Sequence, residues 1–229
     1  MALALNGLFG KITGKIGDFS VRNINGKTVI AARPKHFKMS MEPQSVNTRQ
    51  KFAVTSAFSK VVSELPALNA IWSPKKPATT TARHSIFKSN FSLSSIQCPT
   101  VDNIITPNGS NWSPVMDVSI NQEKLTGSLG PFNEQITIAY NETKVSINAV
   151  ICLIGPKEAD NNYYSIISLS KEVAEFDFTK QYDFEIDSSP EKGALIAKYN
   201  QIIIYLAVAT KSTDNKIFHY SKPYSKISE

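Results

Sequence analysis

The sequence predicts a mainly β protein. It combines an N-terminal glycine-rich β-hairpin and an amphipathic helix with a C-terminal antiparallel β-sandwich of the immunoglobulin or fibronectin kind. Three observations point there. Short runs of alternating apolar and polar residues recur through residues 100–229, with turn clusters rich in Gly, Pro and Asn between them. Near the N-terminus, Asn25-Gly26 separates two further alternating runs, and Asn-Gly is a strong hairpin signal because both central positions of a type I′ turn need positive φ. Between these regions, over Ser45–Leu65, the apolar period changes to that of a helix.

The first segment carries glycines at 7, 10, 14, 17 and 26. Phe19, Val21, Val29 and Ala31 alternate with Ser20, Arg22, Thr28 and Ile30, so strands are expected near 18–24 and 27–33, ended by Pro34. The stretch Gly10-Lys-Ile-Thr-Gly-Lys-Ile-Gly17 is not a phosphate loop, because Gly14-Lys15 is followed by Ile16 where that motif needs Ser or Thr. Glycine here suits a twisted or closely packed backbone.

Phe52, Thr55, Phe58, Ser59, Val62 and Leu65 then fall at helical spacing, with Asn47 or Thr48 as the cap and Arg49, Lys51 and Lys60 on other faces. A helix over 46–65 is expected, ended by Pro66. A short helical stretch follows at Pro66–Ile71 and a basic loop at Ser73–Pro77, while Arg83–Phe91 suits either helix or strand. Beyond residue 100, strands are expected at Val115–Ile120, Glu134–Tyr140, Ser146–Ile154, Tyr163–Leu169, Glu175–Phe178, Gln181–Ile186 and Ile202–Thr210, with no helix between them and Trp112 as a large core aromatic. The expected domains are therefore a basic region at 1–95 and a sandwich at 100–229.

Composition narrows the function. With 229 residues and 41% hydrophobic content, the chain can bury a core without disulfides or metals. Cys98 and Cys152 lack CxxC spacing, and His36, His84 and His219 are scattered, so no metal and no cofactor is expected. There is no GxSxG elbow and no His with an obvious carboxylate partner in the sequence, so an enzyme is not expected. Asp183, Glu185 and Asp187 alternate along one strand and read as a solvated face. The opening ten residues lack the basic start of a signal peptide, and the longest apolar run, Ile202–Ala209, is too short to cross a bilayer. The expected location is cytoplasmic, or within a particle, with no membrane contact.

The charge of +6 divides sharply. Residues 1–90 hold 14 Lys and Arg against three acids, a net of +11, and residues 91–229 hold 11 Lys and no Arg against 16 acids, a net of −5. Such asymmetry suggests that the basic part meets something anionic. Lys11, Lys15, Arg22, Lys27, Arg33, Lys35, Lys38 and Arg49 are the candidate contacts.

Several of these residues lie in motifs that resemble a known group. Gly10-Lys-Ile-Thr-Gly-Lys-Ile-Gly17, Arg22-Asn-Ile-Asn-Gly-Lys27, Ala32-Arg-Pro-Lys35, Thr48-Arg-Gln-Lys-Phe52 and the closing Tyr220-Ser-Lys-Pro-Tyr224 resemble an uncharacterised family of Bacteroidota bacteria. The resemblance covers both ends of the chain and implies a bacterial or phage origin, with no activity attached.

The expected function is that of a non-enzymatic structural or assembly protein, such as a component of a phage virion or prophage particle. Its basic arm would contact other subunits or further copies of the chain. A nucleic-acid-binding protein using the basic half is the alternative. An adhesion or carbohydrate-binding sandwich is the third reading.

Overall fold

The segment Val145–Ile154, apolar except at Ser146 and Asn148, is too continuously apolar for a half-exposed strand and forms the centre of the larger unit. In the computed structural model, which describes residues 3–5, 11–24, 27–33, 39–73, 80–159 and 161–228, every residue of this run is buried. The chain divides into two compact units, Met1–Glu42 and Pro43–Glu229.

The smaller unit is a four-stranded antiparallel sheet in the order β1 (Leu3–Leu5), β2 (Lys11–Ile16), β3 (Phe19–Ile24), β4 (Lys27–Ala32). Ile16 pairs with Phe19, so Gly17 and Asp18 make a two-residue turn. Gly17 has φ +54°, a conformation that costs glycine least. β3 and β4 pair antiparallel from Phe19↔Ala32 to Ile24↔Lys27. The expected turn residues Asn25 and Gly26 lie outside the described residues.

The larger unit has three layers. Its middle layer is a five-stranded antiparallel sheet of β7 (Glu142–Pro156), β8 (Tyr164–Val173), β10 (Tyr199–Ser212), β11 (Ile217–Tyr220) and β12 (Tyr224–Ser228). β7 and β10 pair along their whole length, and β11 and β12 follow one another along the free side of β10. A second sheet of β5 (Val115–Ile120), β6 (Lys124–Leu129) and β9 (Tyr182–Asp187) covers one face. Between the sheets lie Ile147, Ile151, Ile204 and Leu206 with Leu125, Leu129 and Phe184. Trp112 joins this core, edge-on to Phe132 with ring centroids 4.9 Å apart.

Three helices cover the other face: α1 (Pro43–Glu64), α2 (Pro66–Trp72) and α3 (Ala82–Asn90). Phe58, Val62, Leu68, Trp72 and Ile86 pack there against Val150, Cys152, Ile203 and Tyr205. Pro66 stops α1 and opens α2, where a missing N–H costs nothing. Thr81 caps α3 by accepting the His84 N–H, which resolves the open reading of 83–91 as helix.

Several expectations are corrected here. The helix is longer than 46–65, and it belongs with the sheets as a third layer. The expected boundary near residues 95–100 thus separates no compact units, because α1–α3 bury their apolar side on β7 and β10. Residues 134–140 form no strand: the Gln135 and Ile136 N–H groups both donate to the Phe132 carbonyl in a turn. Glu175–Phe178 forms none either, and Phe176 and Phe178 instead pack in an aromatic cluster on Phe132. β6 was hidden by its own glycine, since Gly127 looks like a turn residue. A Cβ there would come within 2.6 Å of the Phe184 ring, so the strand has glycine to let that ring pass. Ser189 caps a helix between strands, α4 (Pro190–Ile196), where only a turn is expected.

Candidate interaction surfaces

The eight candidate residues do not form one site. Lys15 and Arg22 are exposed and, by register, fall on the same side of the small sheet: Lys15 lies opposite Ser20, and Arg22 follows two residues later on β3. Lys11 opens β2 and Lys27 opens β4. Arg33 follows β4, where its N–H donates to the Asp18 carbonyl at 2.7 Å. Arg49 belongs to the other unit, exposed on α1. Lys35 and Lys38 lie outside the described residues. The other side of the small sheet carries Ile16, Phe19 and Ile30, all largely exposed.

The three layers sort the charge of the large unit. The described residues of 43–111, which carry the helices, hold five Lys and Arg against two acids, a net of +3. Residues 112–138 and 174–196, which build the three-stranded side, hold three Lys against nine acids, a net of −6. These two layers lie on opposite faces of the five-stranded sheet. The body is therefore basic on one side and acidic on the other.

The acidic side has an ordered outer surface. Along β9, Phe184 and Ile186 point inward and Asp183, Glu185 and Asp187 outward. Lys124 donates to both Glu185 oxygens, at 2.8 and 2.9 Å, and that contact raises the lysine above its ordinary range. Lys226 of β12 reaches across to Asp117 at 2.7 Å and to the Val118 carbonyl at 2.9 Å, tying the two sheets together at one edge. The lysine's hydrogen bond holds the Asp117 carboxyl below its usual range. Lys180 does the same to Asp177, assisted by the Thr179 hydroxyl.

The helical side exposes Arg83 and Lys88 on α3. The Arg83 guanidinium donates to the Ser56 carbonyl and hydroxyl, which fixes its direction over α1. Lys51 donates to the Ser92 carbonyl and lies 5.5 Å from the Phe91 ring.

Sequence reasoning missed one pairing altogether. His219 has a carboxylate partner, Glu142, at 3.3 Å between Nδ1 and Oε2, although 77 residues separate them. Glu142 is fully buried, and its other oxygen accepts the Ala139 N–H at 2.8 Å. His219 lines a hollow of about 320 Å³ with Ser110, Trp112 and Gln135. A carboxylate-oriented imidazole is half of a nucleophile–base pair. Ser110, however, donates its hydroxyl to the Tyr220 carbonyl at 2.7 Å, so the pair reads as a structural clasp between β7 and β11.

Both cysteines are free: Cys98 is partly accessible and Cys152 is buried. Among the described residues, no group of three His, Cys, Asp or Glu side chains is placed to hold a metal. No described helix is long and apolar enough to cross a membrane. No family model, curated protein or solved structure matches the chain.

Proposed function

We propose that this is a non-enzymatic structural protein whose copies assemble by stacking the basic helical layer of one onto the acidic sheet layer of the next. The observation that supports this reading is the +3 and −6 division between the two outer layers of the larger unit. A body with complementary faces on opposite sides makes heterologous, head-to-tail contacts, which propagate into rings or filaments. Each exposed ion pair contributes only about 0–1 kcal/mol, so the layers act together, steering approach and setting register. A virion or prophage particle of bacterial origin is the setting we favour, in keeping with the resemblance of both chain ends. The net charge of Met1–Glu42, seven Lys and Arg against two acids, favours a second reading in which that unit holds nucleic acid.

Charge reversal tests the stacking. The variant Arg83→Glu/Lys88→Glu and the variant Asp183→Lys/Asp187→Lys should each lose self-association when mass is measured by light scattering at low salt. Mixed in equal amounts, they should associate again, because each then meets a complementary face. Failure of the mixture to recover mass, with both variants folded, would discard the stacking. A preparation that retains nucleic acid, with wild-type mass unaffected by either variant, would select the second reading.

A further inference from the structure

We infer that the cleft between α2, the end of β8 and the β10–β11 turn is a binding site for a small organic oxyanion, a carboxylate or phosphate carrying a short apolar body. The cleft has a volume of about 540 Å³, within the range of small-ligand pockets. Its polar floor is unusual. Lys144 on β7 and Lys211 on β10 are direct register partners on the face that meets the helices. Like charges placed directly opposite on a sheet repel, and here one of the two is nearly buried: the Lys211 residue is 7% exposed.

Their compensation is incomplete. Lys211 donates to Glu172 Oε1 at 2.6 Å. Lys144 has only neutral acceptors, the Thr213 carbonyl at 2.9 Å and Asn215 Oδ1 at 3.3 Å. Two ammonium groups and one carboxylate therefore line the cleft. The buried Lys211 already has Glu172 as its partner, so the uncompensated charge is that of the half-buried Lys144, and an oxyanion between the two lysines would pair with it. The wall above is apolar, made by Pro66, Ala67 and Ala70 of α2 with Val173 and Ile217. That wall suits a hydrocarbon body and gives no donor to a second anionic group.

The backbone around the cleft is also constrained. The two described non-glycine residues with positive φ are Asn215, at 62°, which lines it, and Glu175, at 53°, which follows the lining residue Ala174. Such conformations persist only where surrounding structure over-determines them.

The test is a titration of the whole chain with inorganic phosphate, acetate and hexanoate, followed by amide chemical shifts. Saturable shifts at Val173, Lys211, Asn215 and Ile217 are expected. Hexanoate should bind about tenfold more tightly than acetate, because its methylenes leave water for the apolar wall. If phosphate binds as tightly as hexanoate, the headgroup dominates and the ligand class is phosphate. Lys144→Gln should weaken binding about tenfold and Lys144→Arg should retain it, while Lys157→Gln, outside the cleft, should leave it unchanged. Shifts that never saturate, saturable shifts elsewhere, or equal binding by Lys144→Gln would overturn the assignment. If Lys144→Gln does not fold, the wild-type shift pattern decides alone.

Discussion

Tyr205, at the middle of β10, meets Phe58 of α1 edge-on, with ring centroids 5.2 Å apart and planes at 70°. Its hydroxyl continues past the ring to donate to the Thr100 carbonyl at 2.6 Å. One fully buried side chain thus links the central sheet, the helical layer and the segment that leads from the helices to the second sheet.

Phe58→Ala should cost about 3–5 kcal/mol, the range for removing a buried aromatic ring and leaving its cavity. Tyr205→Phe keeps the ring contact and strands the Thr100 carbonyl, a loss of about 1–2 kcal/mol. Urea unfolding of the whole chain measures both. A Phe58→Ala cost under about 1 kcal/mol would mean that α1 is not part of the cooperative core.

The contrast between these residues and the strands shows what could be read in advance. Phe58 and Val62 announce α1 because one face of a helix is buried and the apolar residues recur at its period. β9 announces itself in the same way, with Phe184 and Ile186 inward and Asp183, Glu185 and Asp187 outward. The middle sheet could be seen as strands, but its place could not. Burial on both faces removes the alternation that marks which side is which, as in Ala149–Ile154. From the sequence the helices are therefore legible as part of the basic half of the chain and not as the cover of β7. The charged surfaces suffered likewise: a division at residue 90 approximates a division between layers, yet only topology shows that the two signs lie on opposite faces. The Glu142–His219 and Lys144–Lys211 pairings were out of reach, because each depends on register between strands distant in sequence.

Cys152 and Tyr205 give the protein a predictable alkaline limit. Burial pushes both the Cys152 thiol and the Tyr205 phenol well above their ordinary values of 9.0 and 10.0. The folded state keeps both protons at a pH where the unfolded chain releases them. Stability is therefore complete below about pH 9 and falls as pH rises further, by about 1.4 kcal/mol per pH unit for each group once its unfolded form is ionised. Tyr205→Phe should flatten the fall above pH 10, and Cys152→Ala the fall that begins near pH 9. The same burial predicts thiol reactivity: at pH 8 one equivalent of a thiol reagent should react with the native protein, at Cys98. The second should react only after unfolding. Two fast thiols would place Cys152 outside the core.

The small sheet makes the last prediction. The described residues of Met1–Glu42 form one sheet, with Lys15 and Arg22 on one side and, on the other, the buried Val21 beside the exposed Ile16, Phe19 and Ile30. A sheet this size needs a second layer to cover an apolar side. The described apolar cores of Pro43–Glu229 are built from Phe58 onward. Lys15→Gln/Arg22→Gln/Arg33→Gln should therefore leave the thermal unfolding of Pro43–Glu229 unchanged. It should weaken self-association at low salt, and the difference from wild type should shrink as salt rises, because screening at 0.1 M acts beyond about 10 Å. Single substitutions should have little effect, since each exposed pair contributes so little. The ratio of absorbance at 260 and 280 nm of the purified protein separates the two partners. A ratio that falls in the triple variant, with mass unchanged, assigns the basic side to nucleic acid; mass that falls at constant ratio assigns it to a neighbouring subunit. If neither changes, Lys15, Arg22 and Arg33 form a solvated surface and the unit's contribution to assembly is apolar.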